Sequence, residues 1–440
     1  MISPEKSVII DKYNTIKCNI RIQYVFVAIG GLFMKKRKLF IAVIFLFTGI
    51  LFFSLNLFKP MEEREIKTTF TTEEFLADFD ELWEILSENY YYFPYLEKNG
   101  VDIEALKADT RRQLESRIHD IEGFYYLLEV MFRKMYNFAH LDIVNATVYA
   151  TYQNNYGLES IPDNNWKNVL QNPQTQAIYA YLEETDKIKV LQKYDDYFIP
   201  EIEASYDETR DVIIFKIFSF DGRICERDQH KIEEYLTAIN DNKIAHIIFD
   251  IRGNAGGNDK YWWNNIVGPF GGDYEWTNWY YVRETELIWD YFFNDFHPKR
   301  ISNIQEHNVP AAVEDFGLTH YFTFTRKLSS DTVLKEKMLS AKRWVIIDEQ
   351  VYSSADSFAA FCKETGWATL VGERTKGDGK GVSPILITLP KTGLLVRFSG
   401  VAVESSDGNL NAITGTRPDV RINISNGNVY DEIYKIIEEE

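Results

Sequence analysis

From Thr71 onward the chain carries a helical period. Phe75, Phe79, Leu82, Trp83 and Leu86 recur at helical spacing. Thr71 and Glu74 form a Thr-x-x-Glu capping box ahead of them. Asn99-Gly100 marks a turn, and further helices follow near 103–118 and 121–136. Residues 66–150 therefore read as a helical subdomain. Residues 151–205 read as a connecting segment, rich in Tyr, Asn, Gln and Asp, with a helix near 173–185.

From about residue 206 the pattern changes to alternating strands and helices. Residues 212–218, 246–251, 344–347 and 368–371 are short apolar runs that read as strands. Helices are expected at 228–240 and 354–365, and a strand pair at 386–389 and 394–398. Strands alternating with helices argue for a sheet covered by helices. The expected class is α/β, with residues 206–440 as one domain.

The N-terminus bears on the compartment. Residues 35–38 are Lys-Lys-Arg-Lys, and Leu39 to Phe58 follow without a charge. That run is long enough to cross a bilayer core of about 30 Å. The basic cluster on its N-terminal side places the remainder of the chain outside the cytoplasm. Residues 34–60 thus read as a single transmembrane anchor in the cell membrane. A cleaved signal peptide is the alternative, but the run ends Ser-Leu-Asn-Leu-Phe-Lys-Pro, with no small-x-small site. Met34 stands directly before the basic cluster, so residues 1–33 read as an upstream, disordered extension.

Composition narrows the classes. The formal net charge is −18, and an acidic chain gains no counterion-release energy from a phosphate backbone, so nucleic acid is not an expected partner. The three cysteines, Cys18, Cys225 and Cys362, suggest neither a disulfide framework nor a zinc site. His119, His230, His246, His297, His307 and His320 show no metal spacing. Neither a metal nor a cofactor is expected, and the oligomeric state is not legible. Aromatics make up 15% of the chain. Trp262, Trp263, Trp276, Trp279, Tyr280 and Tyr281 form a cluster that fits either a groove lining or core packing.

Three segments carry candidate chemistry. An apolar strand ends in Asp250-Ile-Arg252-Gly253-Asn254-Ala255-Gly256-Gly257-Asn258. Glycines there allow N–H groups to point at one anionic oxygen. Val351-Tyr352-Ser353-Ser354-Ala355-Asp356 leads into an apolar-faced helix, where the helix dipole favours developing negative charge. Gly372-Glu373-Arg374-Thr375-Lys376-Gly377-Asp378-Gly379 follows. Taken singly, each has a plainer reading: a glycine turn, an N-cap serine and an ordinary loop.

Together, and in this order, the three segments resemble the tail-specific (C-terminal processing) serine peptidases and their tricorn-like relatives. Gly415-Thr416-Arg417-Pro418-Asp419 and the helical stretch ending Met135-Tyr-Asn-Phe-Ala-His140 resemble the same group. The resemblance covers roughly 71–140 and 206–425. It implies a mixed sheet with covering helices, a crotonase-like or ClpP-like core, and a polypeptide substrate. It implies Ser354 as nucleophile, with N–H groups of Gly256 or Gly257 and of Ala355 as the oxyanion hole. The lysine of the family's Ser–Lys dyad is absent. Asp378 stands at its place, with Lys376 and Lys380 offset on either side. In the tricorn-like branch histidine is the base, and His140 matches it. Glu404 or Asp378 is the expected orienting carboxylate, Glu404 slightly preferred. No PDZ domain is expected in 141–205, since no carboxylate-binding loop appears there. A catalytically inactive peptide- or ligand-binding ectodomain on the same fold is the alternative.

Overall fold

The structure, a computed structural model, describes residues 66–156, 165–184, 199–239, 244–424 and 429–439. The expected extension at 1–33 and the apolar run at 39–58 lie outside the described residues. Among the described residues, no helix is long and apolar enough to cross a membrane.

The helical lobe begins as its pattern predicts. The Thr71 hydroxyl accepts from the Glu74 N–H, and the Glu74 carboxylate in turn accepts from the Thr71 N–H at 3.0 Å. Helices span Thr72–Asn89, Phe93–Lys98, Ile103–Arg117 and Ile121–Lys134. Asp102 and Asp120 cap the last two, accepting from Ala105 and Gly123 N–H groups. Phe75, Phe79, Leu82 and Leu86 are fully buried. They share one core with Tyr280, Phe322, Leu386 and Phe398 from much later in the chain.

A mixed α/β arrangement follows, built on a six-stranded sheet. Its strands lie in the order Val420–Arg421, Thr369–Gly372, Lys342–Ile347, His246–Asp250, Val212–Lys216, Glu203–Asp207. All neighbours are parallel except the last pair. Alternate side chains face opposite ways. Ile247, Phe249 and Val345 pack under the helices Cys225–Ile239 and Ser354–Thr365. Ile248, Trp344 and Ile346 face the helix Val429–Glu439. Register aligns the strand ends, Asp250 beside Ile346 and Ile347 beside Gly372. The three motif loops therefore leave adjacent parallel strands at their C-terminal ends, where open α/β sheets bind ligands.

Two further sheets complete the frame. Gly272–Val282 and His320–Ser330 form a long antiparallel pair. Asp142–Ile143, Leu395–Phe398 and Ile385–Thr388 form a small antiparallel sheet that joins the helical lobe to the late strands. The aromatic cluster splits between the two uses open to it. Trp262, Trp276, Tyr280 and Tyr281 are buried in the core, whereas Trp263 lines a surface groove.

Candidate active site

The three loops approach so closely that backbone lies against backbone. A Cβ on Gly256 would stand 2.6 Å from the Tyr352 carbonyl oxygen, and one on Gly379 would collide with the Ser353 carbonyl. Side-chain-free residues are required at both contacts. Fully buried Asp356 ties the third loop to the helix, accepting from the Thr375 hydroxyl and from the Gly379 N–H at 3.1 Å. Burial pushes its carboxyl pKa up.

Into this junction the helical lobe inserts His140. After the helix Ile121–Lys134, the residues Tyr136, Asn137, Ala139 and His140 all take positive φ. The chain then pairs Asp142 with Arg397 across the small sheet, and the Arg397 guanidinium grips the Asp142 carboxylate with two bonds of 2.8 Å. The Ser399 N–H donates to the Ala139 carbonyl at 2.8 Å. These contacts hold the imidazole between two side chains. Its Nε2 lies 3.0 Å from Ser353 Oγ, and its Nδ1 lies 2.5 Å from Asp378 Oδ2. With Asp378 accepting from Nδ1–H, Nε2 is left to accept from the Ser353 hydroxyl.

Asp378 Oδ2 has two further donors, Ser399 Oγ at 3.0 Å and the Tyr352 hydroxyl at 3.2 Å. The Tyr352 oxygen also accepts from the His140 N–H at 3.0 Å. Burial lifts the Tyr352 phenol well above its usual pKa range, and the Asp378 charge adds to the shift, so the group stays a donor. His140, Ser353 and Asp378 all hold positive φ, at 56°, 52° and 58°. For residues with a Cβ such geometry costs about 1–3 kcal/mol each and clusters at functional sites. Ser353 combines it with ψ −129° directly before the helix Ser354–Thr365, a sharp strand-to-helix turn that presents its hydroxyl.

Several expectations require correction. The hydroxyl that meets His140 belongs to Ser353, one residue before the expected Ser354. Ser354 is the first helical residue, and its Oγ is buried with no hydrogen-bond partner among the described residues. Glu404, the preferred carboxylate, lies elsewhere, bonded to Tyr281 Oη at 2.8 Å and His307 Nε2 at 2.7 Å. Asp378 is the carboxylate that meets His140 Nδ1. Of the expected oxyanion donors, the Gly256 N–H is taken by Asn254 Oδ1 at 2.9 Å and that of Ala355 by the Tyr352 carbonyl at 3.1 Å. Among the described residues, no acceptor faces the N–H groups of Gly257 and Ser354. Lys376 lies 4.9 Å from the Tyr352 ring centroid, and Lys380 is bound to Glu364 and the Glu404 carbonyl, so neither serves Ser353. Ser399 and Tyr352 escaped sequence reasoning because only the fold brings them to the imidazole.

A cleft of about 400 Å³ opens over this group, lined by His140, Gly257, Ser353, Ser354, Asp378 and Arg326 among others. A histidine bridging a hydroxyl and a carboxylate, beside free N–H groups in a cleft, is an arrangement suited to acyl transfer.

Residues 211–422 match the model of peptidase family S41, and residues 71–133 match that of the tricorn protease C1 domain. No curated protein matches the chain. Among solved structures, a Parabacteroides merdae protein assigned as a peptidase is 16% identical, over 83% of this chain and 96% of its own, with a TM-score of 0.45. Mature CPAF complexed with lactacystin is 14% identical, over 84% and 97%, at 0.47. The tricorn protease is 15% identical, over 84% of this chain but 37% of its own, at 0.38. With the two models matched in chain order and the motif loops converging on one cleft, residues 211–422 belong with the tail-specific S41 peptidases, preceded by a segment similar to the tricorn C1 domain, and Asp378 stands where the dyad lysine would be.

Proposed function

We propose that the protein is a serine endopeptidase that works through an acyl-enzyme, with Ser353 as nucleophile, His140 as general base and acid, and Asp378 as the orienting carboxylate. Ser353 Oγ attacks the peptide carbonyl carbon while its proton passes to His140 Nε2. The oxyanion accepts from the N–H groups of Gly257 and Ser354. Collapse breaks the C–N bond, and Nε2 returns the proton to the leaving amine. Water, activated by the same imidazole, then hydrolyses the ester. The observation that carries this reading is the Ser353–His140–Asp378 chain of contacts, 3.0 and 2.5 Å long. The sheet with its covering helices supports a crotonase-like core. The charge pattern around Leu39–Phe58 supports a membrane anchor with the catalytic domain extracytoplasmic.

The test separates the two adjacent serines. A fluorophosphonate probe labels the wild-type protein and the Ser354→Ala variant, but not Ser353→Ala, with the adduct mapped to Ser353 by mass spectrometry. Labelling lost in Ser354→Ala and kept in Ser353→Ala would overturn the assignment.

A further inference from the structure

Beside the catalytic cleft lies a second groove of about 420 Å³, between residues 258–263 and 324–327. Asn258, Asp259 and Arg326 line both, so the groove continues the cleft. One wall is a strand edge. His320–Ser330 pairs along its whole length with Gly272–Val282 on one side. On the other side only His320 and Tyr321 are paired, with Lys299–Arg300. Among the described residues, no strand covers that edge from Phe322 onward. Phe324, on this stretch, is a large apolar side chain left 39% exposed, and Trp263 lies in the same groove.

The charges around the groove lean positive. Asp259 is neutralised by Arg326 at 2.7 Å and also accepts from the Ser357 hydroxyl at 3.3 Å. Lys260 is exposed and has no ion-pair partner among the described residues. Lys327 meets Glu275 at 2.7 Å, with both side chains mostly in solvent, where such pairs are weak and readily exchanged. The patch sits on a chain of net charge −18, so it attracts anions against the overall field.

An uncovered strand edge takes up an extended peptide through its main chain, and pockets beside it select alternate side chains. We infer that this groove docks an extended stretch of the polypeptide substrate, away from the scissile bond, with large apolar side chains against Phe324 and Trp263 and carboxylates near Lys260 and Lys327. The inference rests on the peptidase reading above and adds the substrate class: polypeptides with an alternating acidic and apolar segment.

The test uses the Ser353→Ala protein and fluorescence anisotropy with two fluorescein-labelled decapeptides, one alternating Glu and Leu, the other Lys and Leu. The acidic peptide binds more tightly, by about threefold to fivefold per lysine at low salt, and the preference fades as salt screens it. Lys260→Glu with Lys327→Glu reverses the preference, and Phe324→Ser weakens both peptides. Equal binding of the two peptides, or acidic binding untouched by the lysine changes, overturns the inference. Binding needs no turnover. A wild-type protein that takes no fluorophosphonate yet prefers the acidic peptide loses the peptidase reading and keeps the docking groove.

Discussion

His140 Nδ1 and Asp378 Oδ2 stand 2.5 Å apart, and that carboxylate oxygen also faces the hydroxyls of Ser399 and Tyr352. Three donors on one oxygen fix the carboxylate, and through it the imidazole. Under the proposed mechanism, Asp378→Asn presents the wrong tautomer to Ser353 and lowers kcat by roughly 10³–10⁴-fold with KM little changed. Tyr352→Phe removes one donor to Asp378 and the acceptor of the His140 N–H. The expected loss in kcat is about tenfold, with the fold intact by circular dichroism. A Tyr352→Phe enzyme with unchanged kcat would reduce that phenol to packing.

Elements set the geometry that these residues exploit. Parallel strands in register deliver three loops to one point, and glycines let the loops touch. Gly379 lies against the Ser353 carbonyl and the Ser357 N–H. In Gly379→Ala the added methyl must displace the turn that presents Ser353. Overpacking of this kind costs about 1–3 kcal/mol, and fluorophosphonate labelling should fall at least as steeply as stability. Labelling at the wild-type rate would show that the turn can yield there.

Across the whole molecule, long-range ties hold the helical lobe to the late strands. Asp78 on the first helix is fully buried and accepts from Lys391 N–H at 2.7 Å, Thr392 N–H at 2.8 Å and Thr392 Oγ1 at 2.6 Å. These donors sit in the turn before Leu395–Phe398, the strand that pairs with Asp142–Ile143 beside His140. Asp78→Ala orphans three donors and should cost about 3 kcal/mol in urea unfolding, with activity falling alongside. A second whole-molecule effect is acid sensitivity. Burial holds the His320 pKa below its usual value; nearby Glu284 opposes the shift and Arg300 adds to it. Thr319 Oγ1 and the Phe293 ring also face it. Below about pH 6.5 the unfolded chain binds a proton that the folded chain refuses. This contribution to stability is complete above that pH and declines as pH falls toward the depressed value. The Tm of the wild type should drop more between pH 7.5 and 5.5 than that of His320→Gln; equal drops would exclude His320 as the source.

Local pattern determined the helices and the parallel strands. A capping box, an apolar period and short β-branched runs act over a few residues, and the helices 72–89 and 354–365 and the strand 246–250 follow from them. The long hairpin did not show, because 37 residues (283–319) separate its strands and no turn signal joins them. Three loops and one histidine were legible as candidates, the loops because close backbone contact demands glycine and His140 through the resemblance to the tricorn-like peptidases. Tertiary structure alone decided which hydroxyl meets that imidazole. Ser353 and Ser354 are chemically identical neighbours, and only the positive φ of the turn before the helix puts one hydroxyl against His140 while the other meets no partner among the described residues. It also chose Asp378 over Glu404, because which carboxylate reaches Nδ1 depends on how two distant segments fold against each other.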